Sequence, residues 1–391
     1  MAKLKTFLIN IIVFAVSVCI CLVICEFASR FFLNASDFLS LEVVNDPILG
    51  WVPSPSAMAG FDKWGFRNRK VPDSSEIVAV GDSHTYGNTA RMVDSWPYVV
   101  ARETGRPVYN MGLGGYGPNQ YYFLSKTKAL QLKPKVLLWG LYMGDDFDNA
   151  FQITYGLDYW KDLRELSPQK VDANITELPA TDTGIRRMRV WLSRHSVLYQ
   201  LVFHSGFGGR VTGEVQIRNA SQLYPGYATS LIVPDKHILE AFRPRILLSG
   251  LDQQGPRVRE GMRITFKLMK EMNDICRQNQ IQFVVVVIPT KEMVFSEYLE
   301  HDPKLPLGDV IDKLIQNERL AEADTFKFLA DNNIPVVYPL AALKKSIGEG
   351  LYARTANDMH PNRNGYRVIG QSVAEYLKQS GAELPPGVPA R

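Results

Sequence analysis

Cysteine is scarce in this 391-residue chain, and its placement excludes more than its number does. Three of the four cysteines, Cys19, Cys21 and Cys25, fall inside one N-terminal apolar run, which leaves only Cys276 for the rest. A disulfide framework for the main body is therefore excluded, and no CxxC or Cys/His cluster has zinc-site spacing. Cys276, set in a helical pattern, reads as a small buried hydrophobe. A strong charge of one sign is also missing. There are 44 Lys and Arg against 40 Asp and Glu, for a net +4. That imbalance is mild, and no long basic run stands beside aromatics, so nucleic acid is not an expected partner. No internal repeat appears, and the only biased tract is the Pro-rich last eight residues. No cofactor motif is present, so the expected chemistry uses side chains alone, without metal or cofactor. What is present is ordinary globular material, 46% apolar and 21% charged, enough for a sizeable core.

The N-terminal run, Phe7 to Cys25, is 19 residues without a charge. As a helix it is roughly 28 Å long, close to the hydrocarbon thickness of a bilayer. Lys3 and Lys5 precede it, which favours a cytoplasmic N-terminus. A cleaved signal peptide is the rival, but the run is long for one and Glu26-Phe27-Ala28-Ser29-Arg30 offers no small-x-small site. The expectation is an uncleaved signal anchor over residues 1–30, single-pass in the cell (inner) membrane, with everything after it extracytoplasmic. Residues 31–76 form a lead-in with four prolines between Pro47 and Pro72, where regular structure is expected to be sparse.

From residue 77 the chain alternates. Strands are expected at Ile77–Val80, Pro107–Asn110, Val136–Leu141, Gln282–Ile288 and Pro335–Tyr338. Helices are expected at about Trp96–Thr104, Asn119–Leu130, Arg257–Gln278, Asp309–Asp331 and Asn364–Gln379. The strands are apolar runs, which fits a parallel sheet covered on both faces. Repeated βα units of this kind give an α/β fold, a three-layer α/β/α sandwich of doubly wound type, with sites at the carboxyl ends of its strands. The main domain is expected over 77–391, interrupted at about 150–256 by an insertion rich in Tyr, Arg, Gly and Pro that reads as a cap or lid. Within the insertion Arg186–Arg194 reads as a basic, partly amphipathic helix. Contact with anionic lipid or acidic glycan and a plain solvated arginine face both fit it. Asn174-Ile175-Thr176 and Asn219-Ala220-Ser221 match the glycosylation sequon.

Two segments carry chemistry. In Ile77-Val78-Ala79-Val80-Gly81-Asp82-Ser83-His84, an apolar strand breaks at Gly81-Asp82 and Ser83 stands where a helix can begin. The unpaired N–H groups of a helix start welcome an oxyanion. Ser83 is thus a nucleophile candidate, or else a helix cap. Near the other end, Asp358-Met359-His360 precedes the last helix, and a carboxylate two residues before a histidine can orient its imidazole. If the strands are parallel, both segments reach the same sheet edge. His84 adjoins Ser83, but adjacent side chains diverge there, so it is not expected to be the base. His195, His204, His237 and His301 read as surface or lid. Lys291 and Glu292 sit after the fourth strand, where substrate contact or turn capping both account for them.

In four blocks, taken in order, the chain resembles the SGNH, or GDSL-like, serine esterases and acyltransferases. The blocks are Gly81-Asp82-Ser83-His84, Asn110–Gly117, Tyr142–Asn149 and Asp358–Asn362. Together they lie within residues 77–149 and about 282–379; the insertion is outside the match. The resemblance implies the SGNH hydrolase variant of the flavodoxin-like sandwich. It also implies a serine mechanism in which Ser83 attacks an ester, His360 moves the proton and Asp358 holds His360. The N–H groups of Ser83 and Gly115 would form the oxyanion hole. The anchor and the Asp46–Trp51 lead-in are similar to membrane-anchored bacterial members, whose substrates are often acylated envelope or secreted glycans. Two departures stand out. Where the family offers an asparagine to complete the hole, this chain has Asp145, or Gly144 one register over. An ionised Asp145 cannot donate. Either it is protonated, another group donates, or the protein is a slow or inactive relative that binds polysaccharide. The second departure is the position three before the histidine, which holds Asn357.

Overall fold

Each of the five apolar runs becomes a strand of one all-parallel sheet: β1 (Ile77–Gly81), β2 (Val108–Gly112), β3 (Val136–Tyr142), β4 (Gln282–Ile288) and the short β5 (Val336–Val337). The computed structural model describes residues 2–39, 41–54, 60–166, 184–204, 207–302, 304–356 and 358–380. The Asn174 sequon, Asn357 and the Pro-rich end lie outside the described residues. The strands stand in the order β2-β1-β3-β4-β5. In chain order the helices include α1 (Ala2–Phe32), α2 (Ser83–Tyr86), α3 (Trp96–Thr104), α4 (Pro118–Thr127) and α5 (Asp146–Gly156). They continue with α6 (Gly184–His195), α7 (Val197–His204), α8 (Pro256–Gln278), α9 (Gly308–Asp331) and α10 (Arg363–Gln379).

Strand residues alternate between two faces. Ile77, Ala79, Val136, Leu138, Val284 and Val286 pack on one side against Trp96 and Val100 of α3 and Ile369 and Val373 of α10. Val78, Val80, Leu137, Trp139, Phe283 and Val285 pack on the other against Tyr121 of α4, Phe147 of α5 and Leu268 and Met272 of α8. Both faces are dry, which is why the strands read as unbroken apolar runs. Each fully buried aliphatic side chain is worth about 1.5–3 kcal/mol over exposure. Close helix crossings need glycine. A Cβ on Gly370 of α10 would sit 2.5 Å from Val99 Cβ and 2.8 Å from Trp96 O.

The strand order reverses direction between β1 and β3, because the chain leaves β1 for β2 on one side and adds β3 on the other. A crevice therefore opens at the carboxyl ends of β1 and β3. Its floor is a row of three glycines, Gly112, Gly81 and Gly140, adjacent in register across β2, β1 and β3. A Cβ on Gly81 or Gly140 would lie 2.0 or 2.3 Å from Thr85 Oγ1, and one on Gly112 would lie 2.2 Å from Tyr86 N. The bare row lets α2 rest directly on the sheet with Thr85 in the hollow.

The lead-in is more structured than its prolines imply. Val43–Asp46 and Gly50–Pro53 form an antiparallel hairpin. Its turn is held by Asp46 Oδ1, which accepts from Ile48 N at 2.8 Å and Leu49 N at 2.7 Å. Farther on, Asn68 pairs with the open edge of β2, donating to Asn110 O at 2.8 Å and accepting from Asn110 N at 3.1 Å. This occupies an edge that would otherwise present unpaired backbone. Arg67 is buried and donates to Gly87 O at 3.1 Å, Ala90 O at 2.8 Å and Asp37 Oδ1 at 2.7 Å. It clamps the loop that follows α2.

α5 begins before residue 150 and belongs to the sandwich, packed on α8 so closely that a Cβ on Gly261 would lie 1.9 Å from Phe147 O. Among its described residues the insertion that follows is mainly helical, but it also holds an antiparallel hairpin, Thr229–Val233 with Ile238–Phe242. Its turn carries no glycine: His237 takes the left-handed conformation itself, at φ 56°. α1 is long and apolar enough to cross a membrane.

Candidate active site

Ser83 is the first residue of α2, immediately past β1 and Asp82. Asp82 caps the helix, its Oδ1 accepting from His84 N at 2.8 Å. Across the crevice, the loop before α10 brings His360 Nε2 to 2.7 Å from Ser83 Oγ. His360 Nδ1 lies 2.6 Å from Asp358 Oδ1, which also accepts from His360 N at 2.9 Å. A carboxylate is acceptor only, so Nδ1 carries the proton and Nε2 is left to accept the serine hydroxyl. The loop is held from several sides. Asn362 caps α10 and donates to Gly350 O at 2.9 Å and Tyr352 O at 2.8 Å, and Thr89 Oγ1 donates to Pro361 O at 2.7 Å.

The structure thus brings Ser83, His360 and Asp358 into one hydrogen-bonded chain. Burial opposes protonation of His360, but the hydrogen bond and charge of Asp358, with Asp82 and Asp145 behind, outweigh it and hold His360 above the usual histidine range. Burial likewise disfavours the Asp358 carboxylate, yet its contacts with His360 bring it net below the usual range.

The turn after β2 passes over Ser83. Leu113 N donates to Gly81 O at 3.0 Å, and a Cβ on Gly114 would lie 3.6 Å from Ser83 Cβ. Gly115 adopts φ +77°, a left-handed conformation that a side chain would strain. Asp145 follows β3 at the lip of the crevice, open to solvent on one side. Partial desolvation, then the Asp82 charge, push its carboxyl up to about 7, with His360 pulling the other way.

Below Ser83 lies a second pair that sequence reasoning passed over. His84 Nδ1 is 2.9 Å from Asp82 Oδ2, both are buried, and the His84 ring stacks on Tyr142 at 3.8 Å and tilts against His360 at 4.8 Å. Burial drives His84 below the usual histidine range despite the pull of Asp82. His84 is therefore a neutral wall behind His360 and not its substitute. The signal for it was the i, i+2 spacing of Asp82 and His84, the same as that of Asp358 and His360.

The carboxylates of Asp82, Asp145 and Asp146 have oxygens within 4.8 Å of one another. Asp146 accepts from Tyr121 Oη at 2.8 Å and Tyr142 N at 2.9 Å, and Asp82 is taken up by His84. These protein donors hold two of the three acids, and no metal is assigned to the cluster.

Of the other candidates, His195, His237 and His301 are exposed, and none of them shares a hydrogen bond or ring contact with Ser83, His360 or Asp358. Lys291 and Glu292, expected on the active edge, are buried. Thr290 caps their helix, and Lys291 Nζ lies 2.5 Å from Glu240 Oε2 and 3.0 Å from Ala241 O of the insertion hairpin. Lys291 therefore fastens the insertion to the sheet.

No family model matches the chain. No curated protein matches it either. Among solved structures it is similar to a lipolytic protein of the G-D-S-L family from Desulfitobacterium hafniense, at 14% identity over 78% of this chain and 100% of that one, TM-score 0.37. It is also similar to a G-D-S-L family member from Veillonella parvula, at 11% over 78% and 98%, TM-score 0.35. A third is a variant of an acetyl-xylooligosaccharide esterase from Geobacillus, at 11% over 82% and 99%, TM-score 0.34.

Proposed function

We propose that the chain is a membrane-anchored serine esterase of SGNH type, which removes acyl groups, foremost acetyl, from a glycan outside the cytoplasm. The observation that carries this reading is the Ser83–His360–Asp358 relay at 2.7 and 2.6 Å at the reversal point of a parallel sheet. In the first half-reaction His360 Nε2 takes the Ser83 proton as Oγ attacks the ester carbonyl. The tetrahedral oxyanion faces the Ser83 N–H at the start of α2 and the Gly115 turn. Collapse expels the sugar hydroxyl, which takes the proton back from His360 and leaves Ser83 acylated. Water then repeats the sequence and releases the acid. If a second sugar hydroxyl replaces water, the same residues perform O-acyl transfer.

The crevice continues into a cavity of about 1110 Å³. Gly114 and Asp358 line it, as do Ser36 and Leu39, just past α1. Trp51 and Arg91 also line it. An aromatic face with polar and charged neighbours suits a carbohydrate. α1 supplies the anchor.

Asp145 favours a second reading, that of a polysaccharide-binding relative with weak catalysis, because an ionised carboxylate beside the oxyanion opposes the chemistry. Hydrolysis of a short-chain p-nitrophenyl ester separates the two. Turnover by the full chain that Ser83→Ala abolishes supports the esterase, and turnover surviving Ser83→Ala overturns the serine mechanism. Glycan binding without turnover of any ester supports the second reading.

A further inference from the structure

The insertion is tied to the outer end of α1 by a set of buried-style contacts on an otherwise exposed helix. Glu26 accepts from Ser196 Oγ at 2.9 Å, Val197 N at 3.0 Å and Leu198 N at 2.9 Å, capping α7. Arg30, paired with Glu26 at 2.7 Å, donates to His195 O at 2.7 Å. Glu26 and Arg30 are the first charges after the apolar run, so in a bilayer they stand at its outer boundary. Phe27, Phe31 and Phe32 flank them and are exposed, as aromatics at a membrane–water boundary are.

The last residue of α6 is therefore pinned at headgroup height. α6 itself carries four arginines, Arg186, Arg187, Arg189 and Arg194, and no acidic residue. Met188 and Trp191 are 56% and 58% exposed, on a helix whose apolar residues recur three to four apart. A solvated surface helix has no need to expose a tryptophan one turn from the anchor. His195 stacks on that ring at 4.9 Å and holds it outward-facing beside the pin.

We infer that α6 is a second membrane contact, lying in the headgroup layer of an anionic phospholipid bilayer with Trp191 and Met188 inserted and Arg189 beside the lipid phosphates, while Arg194 keeps its ion pair with Glu42 at 3.8 Å. The inference rests on the proposal that α1 crosses the membrane. Its consequence is geometric. With α1 and α6 both fixed to the bilayer, the insertion cannot swing, and the part of the cavity wall at Ser36 and Leu39, just past α1, is held near the membrane surface.

The test uses the full chain reconstituted into vesicles of phosphatidylcholine alone or mixed with phosphatidylglycerol, each with lipids brominated near the headgroup. Resistance to alkaline carbonate extraction reads α1 alone. The quenched fluorescence that differs between wild type and Trp191→Phe reads α6. A quenchable Trp191 component is expected in the anionic vesicles. Each arginine at such a surface strengthens attachment about fivefold, so Arg189→Glu is expected to lower the docking equilibrium constant about fivefold or more. An extraction-resistant chain whose Trp191 is unquenched in anionic vesicles overturns the inference and leaves the anchor standing. A chain released by carbonate overturns the anchor and the inference with it.

Discussion

Asp145→Asn is the most informative single change. In the wild type, Asp145 can donate to an oxyanion only while protonated, and its carboxyl is pushed up to about 7 by partial desolvation and the Asp82 charge. The sign follows directly. As pH rises through about 7 the group ionises, and with Asp145 at the oxyanion as proposed, the donor is then lost and a negative charge takes its place. His360 imposes the opposite limb, since it must be neutral to accept the Ser83 proton and is held above the usual histidine range. The wild type is therefore expected to show a narrow optimum near neutrality. Asparagine donates at every pH, so the alkaline limb disappears. Two pH units above the Asp145 transition only about 1% of the wild type keeps the proton, so the variant should exceed it about a hundredfold there. The gain should level off where the loss of one oxyanion donor does, at the order of 3 kcal/mol. Below pH 6 the two should nearly coincide. On the acid side Asp145 is already protonated, so the acid limb set by His360 should stay where it is. The assay is kcat/KM against pH for a short-chain ester whose own hydrolysis is subtracted. A variant equal to or slower than wild type above neutrality, or a wild type with no alkaline limb, refutes the placement of Asp145 at the oxyanion.

Asp358→Ala removes the partner that raises His360, so NMR titration should show the imidazole pKa falling, with kcat falling too; an unmoved pKa contradicts the pairing. Arg67→Ala removes the ion-pair partner of Asp37, which keeps only the Met92 N–H, and leaves two loop carbonyls without their buried donor, with an expected cost of about 3–5 kcal/mol in chemical denaturation. A loss below 1 kcal/mol argues against the clamp. Gly370→Ala forces a methyl against Val99 and Trp96 O, and about 1–3 kcal/mol of stability should be lost without change in the pH profile. A reporter fused after Arg391 should be active only outside the cytoplasm, and cytoplasmic activity overturns the anchor topology.

The central sheet was legible because its strands are buried on both faces, and runs such as Val136–Leu141 and Gln282–Ile288 leave little alternative to a covered parallel strand. Helices with a clear apolar stripe, such as Arg257–Gln278, were legible for the same reason. The two hairpins were not. Gly50–Pro53 is half-buried throughout and shows no alternation, and the turn at His237 lacks the glycine that would have announced it. Of the site, Ser83, Asp358 and His360 could be read because each sits at an element boundary with a recognisable partner type. Arg67 and Lys291 could not, because their roles depend on backbone carbonyls and carboxylates brought in from distant segments. The glycine row was invisible because Gly81, Gly112 and Gly140 become neighbours only through strand register.

The central claim is that Ser83 is a nucleophile activated by His360. Its most direct test is exposure of the full chain to a fluorophosphonate, followed by mass-spectrometric location of the adduct. A phosphonylated Ser83 in the wild type is predicted, slowed by orders of magnitude in a folded His360→Ala variant. An adduct on another residue, an unlabelled Ser83, or equal labelling of both proteins contradicts it.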